Sequence, residues 1–155
     1  VDPEPQPGPE ADPVPQPGLE ADTDTEPSTG DETVPISPRS AEEIGHLIRT
    51  ANFDRHRGRM REAETSYLQA LRLQPRNARA LAGLTRVAMS RRDGTQAVRW
   101  AERLARARPR GANNHVLLGD AYLLAGNRNA AREAWRHALE LEPGHANAQR
   151  RLRGG

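Results

Sequence analysis

The chain has no cysteine and very few aromatic residues, two Trp, two Tyr and one Phe among its 155 residues. The lack of cysteine excludes a disulfide framework, a zinc ribbon and any thiol chemistry, and it leaves the redox compartment open. There is also no lysine, so all 23 basic residues are arginine. Arginine, alanine, glycine and proline are the residues that GC-rich codons favour, and this bias indicates a high-GC bacterium. No apolar run approaches the ~18 residues of a membrane span.

Residues 1–37 lack basic residues altogether. They hold ten of the 21 acidic residues of the chain, which leaves eleven acidic residues against 23 arginines from Pro38 onward. The overall charge of +2 therefore conceals an acidic segment of charge −10 and a basic segment of charge +12. Such an asymmetry between two parts of a chain points to interaction with a charged partner.

The acidic segment is rich in proline, which stands at alternate positions from Pro3 to Pro9 and from Pro13 to Pro17. Alternating prolines favour an extended polyproline conformation, and the low apolar content gives no core. We predict that residues 1–38 are a disordered acidic linker and that the folded domain spans residues 39–155. Because the first residue is Val1, we expect a fragment of a longer protein, from which an upstream signal or anchor is missing.

Three prolines recur at a fixed interval in the basic segment, Pro75, Pro109 and Pro143, each 34 residues from the next. Each ends a stretch rich in Ala, Leu and Arg, and each is preceded by an alanine twelve residues earlier. A 34-residue period indicates a repeat architecture in which every unit is a helical hairpin. The pattern resembles the tetratricopeptide repeat (TPR) family, best in residues 112–145, where Leu118, Gly119, Tyr122, Gly126, Ala131, Trp135, Ala138 and Pro143 stand at the family's motif positions.

The resemblance implies an all-α fold, a right-handed solenoid of antiparallel hairpins. The repeats would span residues 44–77, 78–111 and 112–145, and a short helix near 145–152 would cap the last one. We expect six full helices near 41–57, 60–73, 78–91, 95–107, 112–125 and 128–141. Ser40 with Glu43 three residues later forms a capping-box pattern for the first helix.

Some packing roles are also predicted. Tyr122 and Trp135 are expected to fill the space between the third hairpin and its neighbour. The second repeat is the most degenerate, with Ala101 where a bulky residue is usual, and Trp100 is expected to supply the missing bulk. Its Asp93-Gly94 pair is predicted to form the turn inside the hairpin.

No residue pattern in the chain indicates catalysis or a bound cofactor. The five histidines have no second ligand at a metal-binding spacing, and there is no phosphate-binding glycine loop or nucleophile motif. We therefore predict a protein that is not an enzyme and that binds no metal, cofactor or small-molecule substrate.

In the TPR family the first helix of each hairpin lines a concave groove, through four positions per repeat. This resemblance places Arg and Asn side chains on an apolar floor, and it predicts a peptide-binding site. Its residues are Ile48, Asn52, Arg55, Arg79, Arg86, Met89, Asn113, Val116, Asp120 and Leu123.

One variant of the family binds the C-terminal carboxylates of chaperone tails through Lys, Asn and Arg at five groove positions. This chain has Ile48, Asn52, Gly83, Asn113 and Leu117 there, so only Asn52 matches. The resemblance therefore does not extend to the chaperone-tail clamp.

The leading functional hypothesis is a protein-interaction scaffold whose groove binds a peptide, predicted to be acidic. The alternative is an accessory or sensory domain at the C-terminus of a larger bacterial enzyme, such as a Ser/Thr kinase. Nucleic-acid binding is disfavoured because few aromatic residues are available to stack on bases. A weak contact between the acidic linker and the basic domain is also expected, because a flexible tether of this length reaches it.

Overall fold

A computed structural model of the chain describes residues 36–154, and this part folds into seven α-helices without a strand. The predicted disordered linker lies, up to residue 35, outside the described residues. The helices are α1 (Pro38–His56), α2 (Met60–Leu73), α3 (Ala78–Ser90), α4 (Gly94–Ala107), α5 (Ala112–Leu124), α6 (Arg128–Leu141) and α7 (Ala146–Gly154). Their ends differ from the predicted ones by three residues or fewer.

The largest of these differences is at the start of α1, where the prediction of Ser40 as the N-cap is wrong. Ser37 is the N-cap, and its hydroxyl oxygen accepts a hydrogen bond from the Ser40 backbone N–H at 3.2 Å. Pro38 follows as the first helical residue, where its fixed φ suits the helix and its missing N–H has no helical partner to lose. The helix thus begins three residues earlier than the capping-box pattern indicated.

The helices pair into three antiparallel hairpins, α1 with α2, α3 with α4 and α5 with α6. Successive hairpins join where α2 packs on α3 and α4 packs on α5, and α7 packs on α6. The first helices of the hairpins also touch, because α3 contacts both α1 and α5. The result is a right-handed solenoid in which α1, α3 and α5 lie side by side and share one face.

The turn inside each hairpin needs one residue with positive φ at the same repeat position. Gly58 (φ 76°) and Gly126 (φ 85°) supply it in the first and third hairpins, and Arg92 (φ 57°) does so in the second. The predicted role of Asp93-Gly94 as the turn is therefore wrong. Asp93 is instead the N-cap of α4, and Gly94 is the first residue of that helix.

Gly94 has a packing role that the sequence did not reveal. A β-carbon at this position would lie 2.7 Å from the Cα of Ala125, the residue that comes directly after α5. The start of α4 and the end of α5 therefore meet backbone to backbone. Only a residue without a side chain fits this junction between the second and third hairpins.

Small residues inside the hairpins allow close packing around a few large ones. The alanines twelve residues before the repeat prolines, Ala63, Ala97 and Ala131, are fully buried. The Tyr67 ring of α2 lies against Gly83 of α3, where any side chain would overlap it. Trp100 packs beside the alanines of the second hairpin, as predicted.

The two aromatic residues of the third repeat occupy different places. Tyr122 joins neighbouring hairpins as predicted, since its hydroxyl donates to Glu102 Oε1 of α4 at 2.8 Å. Trp135 lies over Gly119 of its own hairpin and donates from Nε1 to the Val116 carbonyl at 3.3 Å, and it also belongs to the same buried cluster as Ala148 of the neighbouring α7. Gly119 makes room for the indole, because a β-carbon there would lie 2.3 Å from its Nε1.

Candidate functional site

The candidate site is the face formed by α1, α3 and α5, which we call the groove. The ten predicted peptide-binding residues lie on these three helices. They fall into three groups by repeat, and the structure gives each group a different environment.

The first-repeat group is already engaged in contacts within the hairpin. Ile48 is only 2% exposed and belongs to the core beneath the groove. The Oδ1 of Asn52 accepts a hydrogen bond of 2.6 Å from the Tyr67 hydroxyl, which leaves the amide NH₂ as its free donor group. The backbone carbonyl of Asn52 accepts a bond of 2.7 Å from Nδ1 of His56.

Arg55 completes this first-repeat group. Since Nδ1 of His56 carries the proton, Nε2 of the same ring is the acceptor for Arg55 Nη2 at 3.2 Å. The Arg55 Nε is buried and has no hydrogen-bond partner in the described part of the chain. Arg55 is therefore held against α1 instead of extending into the groove.

The second-repeat group is open. Arg79 and Arg86 are exposed, and neither guanidinium group has a hydrogen-bond or ion-pair partner within residues 36–154. They are seven residues apart on α3, which places them two helical turns apart on one face. Met89 comes three residues after Arg86 on the same face and is half-buried. Two free guanidinium groups thus stand in a row beside a thioether side chain.

The third-repeat group is covered at its polar positions by the last helix and by the residue directly before it. The Oδ1 of Asn113 accepts a hydrogen bond of 2.9 Å from His145 Nε2. Asp120 accepts two bonds from Arg151 of α7, one from Nε at 2.7 Å and one from Nη2 at 3.0 Å. Val116 is 7% exposed and belongs to the core, whereas Leu123 is 42% exposed.

The ion pair of Asp120 and Arg151 sets the charge at this end of the groove. The hydrogen bonds to Asp120 and its negative charge raise the pKa of the Arg151 guanidinium above its ordinary value. A forked, bidentate pair of this kind fixes the geometry of both side chains. The single carboxylate among the predicted site residues is therefore neutralised by the chain itself.

A pocket of about 590 Å³ opens beside this ion pair. It lies between α3, α5, α6 and α7, and Met89, Asp120 and Leu123 of the predicted site contribute to it. Its other lining residues were not predicted from the sequence, and they are Leu124, Trp135, Arg150, Arg151 and Gly154. The signal for them was weak, because the sequence indicated α7 as a cap but nothing in it indicated which way the arginines of this helix point.

The structure also explains why the chaperone-tail clamp is missing from the second repeat. Gly83 occupies one of the clamp positions, and the Tyr67 ring fills the space where an asparagine side chain would stand. The burial of Ile48 removes a second clamp position.

Within residues 36–154, no three metal-ligating side chains cluster, and none of the helices described there is long and apolar enough to cross a membrane.

A hairpin solenoid with this groove defines a class of helical repeat proteins, and comparison with known proteins shows which of them this chain is similar to. Residues 112–145 match the sequence model of the tetratricopeptide repeat, and these are the bounds that the proline spacing gives for the third repeat. No curated protein shows significant sequence similarity to the chain. Residues 112–145 thus match a tetratricopeptide repeat, and the chain shares the fold of solved TPR domains.

Several solved structures have this fold. The O-GlcNAc transferase of Thermobaculum terrenum superposes with a TM-score of 0.68 at 25% identity, over 75% of this chain and 22% of the transferase. The TPR domain of Arabidopsis OM64 gives 0.67 at 20% identity, over 74% of this chain and 97% of that domain. The second TPR domain of human RPAP3, solved with an HSP70 peptide, gives 0.70 at 18% identity, over 74% and 95%. This chain thus spans about a fifth of the transferase.

Proposed function

We propose that the chain is a non-catalytic protein-interaction scaffold whose groove binds an acidic peptide segment. The observation that carries the proposal is the pair of exposed, unpartnered arginines on α3, Arg79 and Arg86. Guanidinium groups form forked, charge-assisted hydrogen bonds with carboxylates. Because Arg151 neutralises Asp120, no unpaired predicted-site carboxylate opposes an acidic ligand.

The fold supports an interaction role in general terms, since the RPAP3 domain of the same fold was solved with a bound peptide. The choice of ligand rests on the residues of this chain. The first-repeat clamp positions are buried or engaged, so the proposed ligand is recognised by its acidic side chains along α3 and not by a terminal carboxylate.

The test compares the wild-type chain with Arg79→Ala/Arg86→Ala. The probe is a fluorescein-labelled decapeptide of alternating glutamate and glycine, and its fluorescence anisotropy is followed during titration. We expect the double variant to bind at least tenfold more weakly and to depend less on salt, because two charged contacts are lost.

A matched control is Arg99→Ala/Arg136→Ala, which removes the same charge from exposed positions on α4 and α6, outside the predicted site. The proposal requires the control to retain most of the affinity. Equal weakening in both double variants would show that the probe responds to overall charge and would contradict a groove site.

A second proposal concerns the larger protein. About a fifth of the Thermobaculum terrenum transferase has the fold of this chain, so that enzyme is an example of a protein that contains such a fold. We propose, as the alternative, that the module is the accessory domain of a larger bacterial enzyme such as a Ser/Thr kinase. The sequence of the complete gene tests this. A catalytic domain in the same reading frame would support the alternative, and its absence would contradict it.

The acidic linker remains a predicted weak ligand of the basic domain, although residues 1–35 lie outside the described part of the chain. Amide chemical shifts provide the test. Deleting residues 1–37 should shift the resonances of residues near Arg79 and Arg86, and unchanged shifts would contradict the prediction.

A further inference from the structure

The pocket between α3, α5, α6 and α7 combines an apolar interior with a charged rim. Four of its lining side chains are apolar, Met89, Leu123, Leu124 and Trp135. Leu123 is 42% exposed and so leaves apolar surface open at the mouth of the pocket. On the rim, Arg150 is exposed and has no partner in the described residues.

We propose that this pocket binds one bulky aliphatic or aromatic side chain of the peptide, and so anchors an acidic ligand at the C-terminal end of the groove. The inference rests on the proposed function, which it extends from a charge preference to a sequence pattern. An apolar anchor in a pocket, surrounded by polar contacts, is the usual source of affinity in peptide recognition.

The position of the pocket next to the free arginines determines its occupant. Met89 forms part of the pocket wall and shares one face of α3 with Arg86 and Arg79. Along the helix axis, Arg86 lies about 4.5 Å and Arg79 about 15 Å from Met89, at 1.5 Å per residue. An extended peptide advances about 3.3 Å per residue.

These spacings define the ligand. Consider an extended peptide whose apolar residue occupies the pocket. The residue about one or two positions along the peptide from this anchor lies near Arg86, and the residue about four or five positions from it lies near Arg79. The segment therefore has one bulky apolar residue with two carboxylates at those intervals on one side of it. Arg150 on the pocket rim adds a third positive charge near the apolar end, which favours a further acidic residue beside the anchor.

The ion pair of Asp120 and Arg151 forms one wall of the same pocket. Because each charge satisfies the other through two hydrogen bonds, the wall does not require a charged ligand group. An apolar side chain can therefore enter without leaving either group buried and unpaired.

The test uses the full chain and two defined probes. The first is a nine-residue peptide with leucine at its second position, glutamates at its first, fourth and seventh positions, and glycine or serine elsewhere. The second differs only by alanine in place of the leucine. Isothermal titration gives the affinities, and amide chemical shifts at high peptide concentration detect binding that is too weak for calorimetry.

We expect the leucine probe to bind about tenfold more tightly than the alanine probe, the gain from burying one aliphatic side chain. In Leu123→Ser this preference should fall to about twofold or less. Leu141→Ser is the matched control, because Leu141 is also an exposed leucine, on α6, and does not line the pocket. It should keep the tenfold preference.

The two proposals fail in different ways. If both probes bind equally well and Arg79→Ala/Arg86→Ala still weakens them, the pocket is not the anchor and the acidic groove stands. If the leucine preference is present but is unaffected by the arginine substitutions, the acidic groove fails and the anchor stands. If neither probe shifts any amide resonance at millimolar concentration, both proposals are wrong.

Discussion

The second-repeat and third-repeat parts of the groove occupy equivalent positions in the solenoid, yet their polar side chains behave differently. Arg79 and Arg86 on α3 are exposed, and their guanidinium groups have no partner in the described residues. Asn113 and Asp120 on α5 are each bound by a residue from the last turn-and-helix segment, His145 and Arg151. A repeat position therefore indicates which face a residue belongs to, but not whether that residue is available to a ligand.

The difference arises from the neighbour that each repeat has on its C-terminal side. The second repeat is succeeded by another full hairpin, whose α5 contacts α3. Within the described residues the third repeat is followed by α7, which carries three arginines, Arg150, Arg151 and Arg153. The last helix thus covers polar positions that the middle of the array leaves open.

Trp135→Ala should have the largest effect on the difference between the second-repeat and third-repeat parts of the groove. Trp135 is 2% exposed, lies over Gly119 and forms part of the wall next to α7. Removing such a buried aromatic side chain costs about 3–5 kcal/mol. Denaturant unfolding monitored by circular dichroism measures the loss. Trp100→Ala, at a half-buried tryptophan, is the control, and an equal or larger loss in the control would contradict the central role of Trp135.

His145→Ala should loosen α7 alone. The ring of His145 caps this helix, since Nδ1 accepts from the Ala148 N–H at 3.4 Å while Nε2 donates to Asn113. Loss of a helix cap costs about 1 kcal/mol. Hydrogen exchange should become faster in residues 146–154 and stay unchanged in α1 to α4.

The control for this change is His46→Ala, because His46 is exposed on α1 and far along the chain from α7. Should exchange in α7 stay at its wild-type rate in His145→Ala, the ring does not hold this helix in place.

Arg151→Ala should give a smaller change in stability, about 0.5 kcal/mol, because the ion pair is partly exposed to water. Its effect on binding should be larger than its effect on folding. The unpaired Asp120 carboxylate would place a negative charge in the groove and weaken an acidic peptide several-fold. Arg153→Ala removes the same charge from an exposed position without freeing Asp120, so equal weakening in both variants would contradict this explanation.

Tyr122 links the second and third hairpins, and its contribution to stability should change only in alkaline solution. Burial and the hydrogen bond to Glu102 raise its pKa from 10.0 to about 12. The folded state thus favours the protonated phenol, and the stability from this link is complete below pH 10 and is lost as the pH rises toward 12. Ultraviolet titration should show a tyrosine transition near pH 12 that Tyr122→Phe removes. If the transition that Tyr122→Phe removes lies near pH 10 instead, the hydrogen bond to Glu102 does not raise the pKa of Tyr122.

Much of the fold could be predicted from the sequence because one spacing recurs. The proline period and the alanines inside the hairpins depend only on local packing between helices that adjoin in the chain. Six helices and the cap were therefore predicted to within three residues of their observed ends. The environments of single side chains were harder to predict, because they depend on partners far away in the chain.

Three cases show the limit. Trp135 packs over Gly119 of its own hairpin as well as near α7, and the motif alone does not indicate the contact with Gly119. Arg92 adopts a positive φ without being glycine, so its position in the array overrides its own preference. Arg151 reaches Asp120 across 31 residues of sequence, which no periodicity indicates.

The backbone contact between Gly94 and Ala125 has a consequence for the geometry of recognition. It sets how far the third hairpin is rotated and shifted from the second, because the start of α4 rests directly on the end of α5. A side chain there would act as a wedge and change the superhelical pitch at that step. The position of α5 relative to α3, and with it the shape of the pocket beside α7, thus depends on a missing side chain at a residue that does not line that pocket.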